Sequence, residues 1–318
     1  MSHCSTDWSA DAGHVLGVDL GGTKVRAALA ALDGRMVAER TVPTDADGGP
    51  RIVEQIVALS AELCSHVGAD PTAIRATAVG SAGVPDASTG ALGLSPNING
   101  IGSFDVVATL GDRLGHPVVM DNDVNMAAIG ERHAGHARGI DDFVFLAVGT
   151  GVGMGIVSDG RLLRGSHGAA GEIGYLPVGA DPFDRMNHRR GAFEEAVAGG
   201  TVEARYLAAT GTSLTTRAVF DLAATGDSAA VAVVTEHARL LALAIVAVCS
   251  VLDPGMVVLG GGVGSRPELL GPTRSFVAAL RTEPVDLRTS ALGDRAAVVG
   301  AVCCAINMLH ASPQKEHS

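Results

Sequence analysis

Two glycine-rich segments of this sequence carry residue types that bind phosphate. The first, Asp19-Leu20-Gly21-Gly22-Thr23-Lys24, offers backbone N–H groups unobstructed by Cβ atoms, a hydroxyl and a cation. The second, Gly149-Thr150-Gly151-Val152-Gly153-Met154-Gly155, has a similar set of donors without a fixed charge. A carboxylate at Asp19 is tolerated beside phosphate when Mg²⁺ or its water lies between them. The pattern predicts two phosphate loops, with Mg²⁺ carried by the nucleotide near Asp19.

The spacing of these glycines excludes two common nucleotide motifs. A Walker A loop requires G-x-x-x-x-G-K-[ST], and a dinucleotide fingerprint requires G-x-G-x-x-G between a strand and a helix. Neither pattern occurs, and both segments lead into predicted strands rather than helices. An NAD-dependent oxidoreductase therefore fits this sequence poorly.

A cluster of polar side chains, Asp121-Asn122-Asp123, follows the apolar stretch Pro117 to Met120. A carboxylate at a strand end, next to the helix predicted from Val124 to Ala134, is well placed to act as a general base on a hydroxyl. Phosphoryl transfer requires positioning, charge neutralisation and one acceptor for the proton of the nucleophile. The alternative interpretation is that one of these residues only caps the helix.

The elements around these residues follow a repeated plan. Val15 to Ala31 reads as two strands joined at Gly21-Gly22 and closed by a D-G-R turn at 33–35. Phe143 to Leu163 repeats the arrangement, with a second D-G-R turn at 159–161. Two hairpins of one design predict a duplicated architecture with an analogous loop in each half.

The rest of the chain alternates between strands and helices, which predicts an α/β fold. Asn125 and Glu131 are expected on a polar side of the helix 124–134. The other predicted strands are residues 76–80 and 256–259, and the other predicted helices are residues 51–67, 205–210, 228–251, 268–280 and 295–309.

Composition narrows the class of protein. A chain of 318 residues that is 47% hydrophobic buries a sizeable core, and its length suggests two domains. The net charge of -11 and an aromatic content of 3% argue against binding nucleic acid or anionic membranes. The start of the chain lacks the pattern of a secretory signal, and the apolar stretch Leu240 to Leu252 is short for a membrane span. We therefore expect a cytoplasmic protein whose five cysteines are reduced.

Four motifs, in this order along nearly the whole chain, resemble the ROK family (repressor, open reading frame, kinase) of the sugar kinase, Hsp70 and actin superfamily. Asp19 to Lys24 resembles its D-x-G-G-T-K phosphate motif, and 122–125 resembles N-D-x-N, whose aspartate is the catalytic base. Gly149 to Gly155 is similar to the second phosphate loop, and Gly260 to Gly262 to the adenosine loop.

The resemblance implies an ATP-dependent sugar kinase, with Asp123 as catalytic base. It implies that ATP is bound by Asp19, Gly21, Gly22, Thr23, Lys24, Gly149, Thr150, Gly151, Gly153, Gly261 and Gly262. It implies that the sugar hydroxyls are bound by Asn97, Asn122, Asp123, Glu172, Tyr175 and Glu194. Carboxylates and amides suit that task because they pair directionally with vicinal hydroxyls.

The resemblance also implies a two-domain actin-like ATPase (ribonuclease H-like) fold with a cleft between the domains. The expected domains are residues 1–120 with 295–318, and residues 121–294. The terminal helix is expected to cross back to the first domain. Relatives of this kind form homodimers or larger homo-oligomers, so the same is expected here.

Two departures from the family pattern concern its zinc site. The family motif E-x-G-H appears as Glu172-Ile173-Gly174-Tyr175, and the cysteine motif C-x-C-G-x-x-G-C-L-E appears at 185–194 without any cysteine. A tetrahedral structural zinc needs four N, S or O ligands, so we predict no structural zinc. His167 and His188 are interpreted as surface or hydrogen-bonding residues. A phenol at Tyr175 changes the shape of the sugar pocket.

Several functions remain open at this point. Phosphoryl transfer to the 6-hydroxyl of a hexose is the first hypothesis, and an amino sugar such as glucosamine or kanosamine, or a cyclitol, is the alternative acceptor. A sugar-sensing regulator is the less favoured class, because only about fourteen residues precede the first strand and the net charge is acidic. A catalytically silent sugar-binding protein is disfavoured by the retention of Asp123 and both phosphate loops.

Overall fold

A computed structural model describes residues 13–85, 92–93 and 104–310. The chain divides into two units, one made of residues 1–133 together with 297–318, and the other of residues 134–296. The division predicted near Met120 and Arg295 falls in the structure after His133 and after Ala296. The first division lies later because the helix that begins at Asp123 packs with the first unit, where Met126 belongs to a core cluster.

The described residues contain strands and helices in alternation, as the sequence predicted. The strands are β1 (His14–Leu20), β2 (Lys24–Ala31), β3 (Met36–Pro43), β4 (Ile74–Ser81), β5 (Val84–Pro85), β6 (Leu92–Gly93), β7 (Val118–Asn122), β8 (Phe143–Val148), β9 (Val152–Ser158), β10 (Arg161–Leu162), β11 (Met256–Gly260) and β12 (Asp286–Thr289). The helices are α1 (Pro50–Val67), α2 (Val106–Leu114), α3 (Asp123–Ala134), α4 (Ala192–Val197), α5 (Gly199–Thr210), α6 (Thr216–Ala224), α7 (Ser228–Leu252), α8 (Gly261–Gly264), α9 (Pro267–Leu280) and α10 (Ala296–His310).

The first unit is built on a five-stranded sheet of order β3-β2-β1-β4-β7. β1 and β2 form the predicted hairpin, in register from His14 opposite Ala31 to Leu20 opposite Val25. β4 lies parallel to β1, and β7 lies parallel to β4, with Ser81 opposite Asn122. Because parallel strands end at one edge of a sheet, β1, β4 and β7 deliver their following residues to the same edge.

Helix α10 covers one face of this sheet, as predicted for the terminal helix. Its residues Val298, Val302 and their neighbours share a core cluster with β1, β2 and β4. Two glycines permit close packing, because a Cβ at Gly17 would lie 2.7 Å from the Val302 nitrogen and one at Gly300 would lie 1.7 Å from the Met126 oxygen. The opposite face packs on α1 and α2 through a separate cluster.

The second unit repeats the strand plan of the first. Its sheet has the order β10-β9-β8-β11-β12, with β8 antiparallel to β9 and parallel to β11, and β11 parallel to β12. Both D-G-R turns close their hairpins with a residue at positive φ, at Gly34 and at Asp159-Gly160. The duplication predicted from the two hairpins is therefore confirmed for the sheets.

Helix α7 forms the core of the second unit. It is 25 residues long and apolar enough to pass as a membrane span by length and composition, but more than half of its most apolar window is buried inside the structure. Its buried side includes Leu241, Ala244 and Ile245, which share a cluster with β8, β11 and α9. The predicted helix 228–251 is confirmed, and the packing is that of a core helix.

One prediction about α3 was wrong. Asn125 and Glu131, expected on a polar side, are 3% and 0% exposed. The Asn125 side chain donates from Nδ2 to Asp121 Oδ1 at 2.8 Å, which satisfies both groups away from water. Helical periodicity detects polar residues but not the buried partners that allow them to face inward.

Candidate functional site

Asn122 and Asp123 lie where β7 passes directly into α3. The Asn122 side chain spans the junction, because its Nδ2 donates to the Gly83 oxygen at 3.1 Å and its Oδ1 accepts from the Val124 nitrogen at 2.9 Å. The second contact satisfies a backbone donor of the first helical turn. Asn122 therefore does cap the helix, and this role fixes the orientation of the residue that follows it.

Asp123 is half-buried at the start of α3, and its Oδ1 accepts from the Val124 nitrogen at 2.8 Å. Burial raises the pKa of Asp123 above its usual value of 3.8, and the hydrogen bond from Val124 opposes this change. A carboxylate whose charged form is destabilised by burial accepts a proton more readily. The electrostatics of Asp123 thus suit a general base.

Asp121 has a different task from its neighbours. Its carboxylate is buried, and Oδ1 accepts from the Asn122 nitrogen at 2.7 Å and from Asn125 Nδ2. β4 supports the same junction, because a Cβ at Gly80 would lie 3.4 Å from the Asp123 Cα. Asp121 is a scaffold residue of the junction that sequence reasoning did not separate from Asp123, and Gly80 is a second scaffold residue, which the sequence analysis assigned only to a strand.

The first glycine loop joins β1 and β2 in the first unit. Gly21 donates from its nitrogen to the Lys24 oxygen at 3.0 Å, and the loop residues Gly22, Thr23 and Lys24 are exposed. Thr44, which the sequence analysis missed, holds the loop from β3: its Oγ1 donates to the Gly21 oxygen at 2.6 Å and its nitrogen to the Thr23 oxygen at 3.1 Å.

The second glycine loop joins β8 and β9 in the second unit. The Gly149 nitrogen donates to the Gly151 oxygen at 2.9 Å, and the Gly149 oxygen accepts from the Gly199 nitrogen at the start of α5 at 2.8 Å. Within the described residues, the N–H groups of Thr150 and Gly151 have no acceptor, as is also true of Gly22 and Thr23 in the first loop. Each loop tip therefore presents two backbone donors for an anion.

The third glycine segment follows β11 and enters α8. Gly261 has φ +78°, and a Cβ there would lie 2.4 Å from the Val148 oxygen, so only glycine fits without a shift of backbone. A Cβ built on Gly149 would lie 3.6 Å from the Gly262 nitrogen. The two glycine segments of the second unit are thus neighbours at Gly149 and Gly262.

Glu172, Tyr175 and Glu194 lie on two segments that the structure packs together. Gly191 has φ +91°, and a Cβ there would lie 2.2 Å from the Gly174 oxygen. Gly174 in turn lies in the short 3₁₀ turn Ile173–Tyr175, and its own Cβ would lie 3.3 Å from the Glu194 Cβ. The predicted sugar-side residues of this unit are therefore close neighbours.

The orientation of these three side chains differs. Glu172 is exposed, and Tyr175 is 50% exposed with its hydroxyl 3.5 Å from the Arg189 oxygen. Glu194 points to the second glycine loop, where its Oε2 accepts from the Val152 nitrogen at 2.8 Å. Each carboxylate oxygen has a further lone pair, so this contact leaves Glu194 able to accept from a hydroxyl.

The remaining predicted residues fall in different places. Asn97 lies outside the described residues. Asp19 is half-buried in β1, directly before the first loop. The first unit contains Asp19 to Lys24, Asn122 and Asp123, and the second contains the other two glycine segments with Glu172, Tyr175 and Glu194.

The donor set suits a nucleotide-borne Mg²⁺ better than a zinc ion. Among the described residues, no three His, Cys, Asp or Glu side chains form a group that could hold a metal. His188 is exposed and donates from Nε2 to the Pro182 oxygen at 3.1 Å. Mg²⁺ binds through one or two carboxylates together with substrate phosphates, and a single carboxylate such as Asp19 is enough for that mode.

Comparisons with known proteins identify the family of the chain. The ROK family profile matches residues 15–308. A glucokinase from Halalkalibacterium halodurans is 32% identical over 308 residues, covering 90% of this chain and 92% of its own. An N-acetylmannosamine kinase from Citrobacter koseri is 36% identical over 269 residues, covering 83% and 88%.

A solved structure has the same fold. It is a ROK family glucokinase from Streptomyces griseus in complex with glucose and AMPPNP, 28% identical, with a TM-score of 0.79 over 93% of this chain and 100% of that one. The chain therefore belongs to the ROK family and has the two-domain α/β, actin-like ATPase fold of its sugar kinases.

Proposed function

We propose that this protein is an ATP-dependent carbohydrate kinase that transfers the γ-phosphate of ATP to the 6-hydroxyl of a hexose. The observation that carries the proposal is Asp123, a carboxylate fixed at a strand end by Asn122 and with a pKa raised by burial. The kinase class is supported by glucokinase and N-acetylmannosamine kinase relatives. A regulator without catalysis would have no need for a base of this kind.

In the proposed reaction, Asp123 accepts the proton of the acceptor hydroxyl as the hydroxyl oxygen attacks the γ-phosphorus of ATP. The bond from that phosphorus to the β,γ-bridging oxygen breaks, and ADP leaves. We assign the hydroxyls of the sugar to Asn122, Asp123, Glu172, Tyr175 and Glu194. The loop-tip N–H groups of both glycine loops and the Lys24 cation hold phosphate oxygens. Mg²⁺, when bound with the nucleotide near Asp19, neutralises charge on the phosphates.

The adenosine part of ATP is assigned to Gly261 and Gly262. Gly262 is exposed, and a Cβ built on it meets no atom within 4 Å, so a flat ring has room to approach the backbone. The neighbouring Gly149 connects this surface to the second phosphate loop. The order along the surface, from Gly262 to Gly149 to Thr150, is suited to adenosine followed by phosphates.

An amino sugar is the second candidate for the acceptor. Tyr175 stands where the ROK motif has a histidine, and its ring is half exposed beside Arg189. A relative at 36% identity is an N-acetylmannosamine kinase. A neutral phenol can donate to or accept from a substituent at C2, so a hexosamine, or less directly a cyclitol, fits the same site.

The proposed setting follows from the co-substrate. We expect the enzyme to act in the cytoplasm, where ATP is available, on small-molecule sugars and without nucleic acid or membrane partners. We also expect a homodimer or a larger homo-oligomer. Multi-angle light scattering at enzyme concentrations used for assays measures this directly, and a monomer at every concentration would contradict it.

A coupled ADP-release screen tests the proposed function. The panel contains glucose, mannose, glucosamine, N-acetylmannosamine, kanosamine and myo-inositol, with 6-deoxyglucose as the matched control because it lacks only the proposed acceptor hydroxyl. We expect sugar-dependent ADP release with at least one hexose or hexosamine, a phosphorus–proton coupling at C6 in the product, and no release with 6-deoxyglucose. Release with 6-deoxyglucose would overturn the 6-hydroxyl assignment, and no release with any acceptor would overturn the kinase proposal.

A further inference from the structure

Arg190 forms hydrogen bonds with helix α4 and with the second glycine loop. Its Nε donates to Glu194 Oε1 at 2.8 Å, and its Nη2 donates to the Thr150 oxygen at 2.9 Å. Glu194 also contacts the loop directly, because its other carboxylate oxygen, Oε2, accepts from the Val152 nitrogen at 2.8 Å. We call Arg190 and Glu194 together the loop clamp.

The loop clamp holds the second glycine loop on both sides of Gly151. The carbonyl of Thr150 and the N–H of Val152 are fixed, and a Cβ at Gly151 would lie 3.0 Å from Glu194 Oε2. With both flanks fixed, the N–H groups of Thr150 and Gly151 keep one direction. Donors that are already oriented bind an anion without the entropy cost of ordering the loop.

The charges of the loop clamp have a second consequence. A carboxylate hydrogen-bonded to a phosphate loop would by itself repel the phosphate. The guanidinium of Arg190 offsets this repulsion, since it contacts Glu194 directly and approaches Glu195 at 3.8 Å. Glu194 is 17% exposed and Arg190 41%, so the hydrogen bonds of the pair are only partly weakened by water.

We propose that Arg190 is a positioning residue for the nucleotide: it fixes the second glycine loop through Glu194 and Thr150 and cancels the charge of Glu194 beside the phosphates. The inference rests on the proposed function, in which this loop binds ATP. It goes beyond it by assigning a role to Arg190, which is not among the residues proposed to bind ATP or the sugar.

The test compares Arg190→Met with the matched control Arg189→Met. The side chain of Arg189 has no ion pair with the described part of the chain. Titration calorimetry with a non-hydrolysable ATP analogue measures nucleotide affinity without any sugar. We expect Arg190→Met to weaken the analogue about tenfold and Arg189→Met to leave it unchanged. Arg190→Lys keeps the charge but not both contacts, and should fall between them.

Two readouts separate this role from a merely structural one. In the kinase assay, Arg190→Met should raise the KM for ATP by a larger factor than the KM for the sugar, which Glu194 is also proposed to bind. Hydrogen exchange of a peptide covering 149–153, in the protein without ligands, should become faster in Arg190→Met and stay unchanged in Arg189→Met.

Each outcome bears on the proposal. Unchanged analogue affinity, a loss confined to the KM of the sugar, or a lower melting temperature without faster exchange at 149–153 would overturn it. If Arg190→Met does not fold, Arg190→Lys with wild-type affinity overturns it as well. Failure of the kinase proposal would appear as absent ADP release with every acceptor. The analogue titration and the exchange experiment require no turnover, so they test the role of Arg190 independently of that result.

Discussion

The two units share one strand order, yet the residues that follow corresponding strands differ. In the first unit, β7 is followed by Asp123, and β4 by the segment that contains Gly83, the acceptor for Asn122. In the second unit, β11, the counterpart of β4, is followed by Gly261-Gly262, and β12, the counterpart of β7, by Ser290, whose Oγ accepts from the Gly293 nitrogen. β7 therefore delivers a carboxylate whereas its counterpart β12 delivers a serine, and the bare glycine backbone of the second unit follows β11.

This difference indicates that the topology of the sheet determines where functional residues can lie. The type of residue at that place then determines which chemical role it can have. Parallel strand ends converge at one edge of a sheet whatever their sequence. A carboxylate there serves proton transfer, and glycines there allow a nucleotide to approach the backbone. The hairpin loops are the part of the scaffold to which we assign the same task, phosphate binding, in both units.

The supports of the two hairpin loops also differ. Thr44, an uncharged residue of the adjoining strand end, holds the first loop through two hydrogen bonds. The loop clamp of Arg190 and Glu194, distant in sequence, holds the second. The first loop has its own cation in Lys24, whereas the second loop has no cation of its own, and the charge of Arg190 beside it is paired with that of Glu194.

The largest change in stability is expected where a glycine of the second unit is replaced. Gly261→Ala should lower the free energy of unfolding by at least about 3 kcal/mol, because it adds a strained φ and an overlap with the Val148 oxygen. The adjacent Gly262→Ala is the matched control, since its Cβ meets no atom, and it should change stability by less than about 1 kcal/mol. Chemical denaturation measures both, and equal losses would contradict the account.

Gly262→Ala also tests the assignment of the adenosine part of ATP to Gly262. Gly262→Ala leaves the fold intact but places a methyl group where the nucleotide ring is proposed to lie. We expect a raised KM for ATP with an unchanged KM for the sugar. An unchanged KM for ATP would remove Gly262 from the proposed nucleotide site.

The next largest effect is a loss of folding stability at acidic pH, which we expect to arise in the second unit. His237 in α7 is fully buried, its ring nitrogens have no hydrogen-bond partner in the described structure, and burial lowers its pKa from 6.5 to about 4. A lowered pKa stabilises the fold above pH 6.5, and this stability is lost as the pH falls toward 4. Acidification from about pH 7.5 to about pH 5 should cost about 2 kcal/mol through this group.

Replacement of His237 tests that expectation. His237→Leu should reduce the loss of stability between neutral pH and pH 5, and the exposed His66→Gln should not. Asp123 in the first unit has the opposite sign, because its raised pKa makes its contribution greatest at low pH and weaker as the pH rises. An unchanged acid sensitivity in His237→Leu would show that other groups set it.

The smallest effect concerns the uncharged support of the first loop. Thr44→Val removes the hydrogen bond to Gly21 and keeps the backbone bond to Thr23, so we expect a loss of about 1 kcal/mol and a severalfold higher KM for ATP. Thr109→Val is the control, because Thr109 Oγ1 donates to the Asp105 oxygen at the same 2.6 Å but in α2. Equal KM values in the two variants would deny Thr44 a part in nucleotide binding.

Local sequence signals predicted much of the fold. The hairpins β1-β2 and β8-β9 were predicted because glycine turns and apolar strands are encoded by adjacent residues. The helices α1, α7 and α9 were predicted from their periodicity. The order of strands within each sheet depends on contacts between distant segments, so local signals indicated it only through the repeat of the two hairpins.

The supporting contacts of the site could not be predicted. Thr44 lies 23 residues from Gly21, Glu194 lies 42 residues from Val152, and Arg190 lies 40 residues from Thr150. No periodicity connects residues at such distances. Asn125 was assigned to a polar surface for a different reason: its buried partner Asp121 is only four residues away but belongs to the preceding strand, β7.

The central claim is that Asp123 is the base that accepts the proton of the sugar hydroxyl. Asp123→Asn tests it most directly, because it removes the base and keeps the shape of the side chain. We expect sugar-dependent ADP release to fall about a thousandfold, while the affinity for a non-hydrolysable ATP analogue stays within about twofold. The free energy of unfolding at pH 8 should be unchanged or higher, since a buried charge is removed. Turnover within about tenfold of the wild-type rate would contradict the claim.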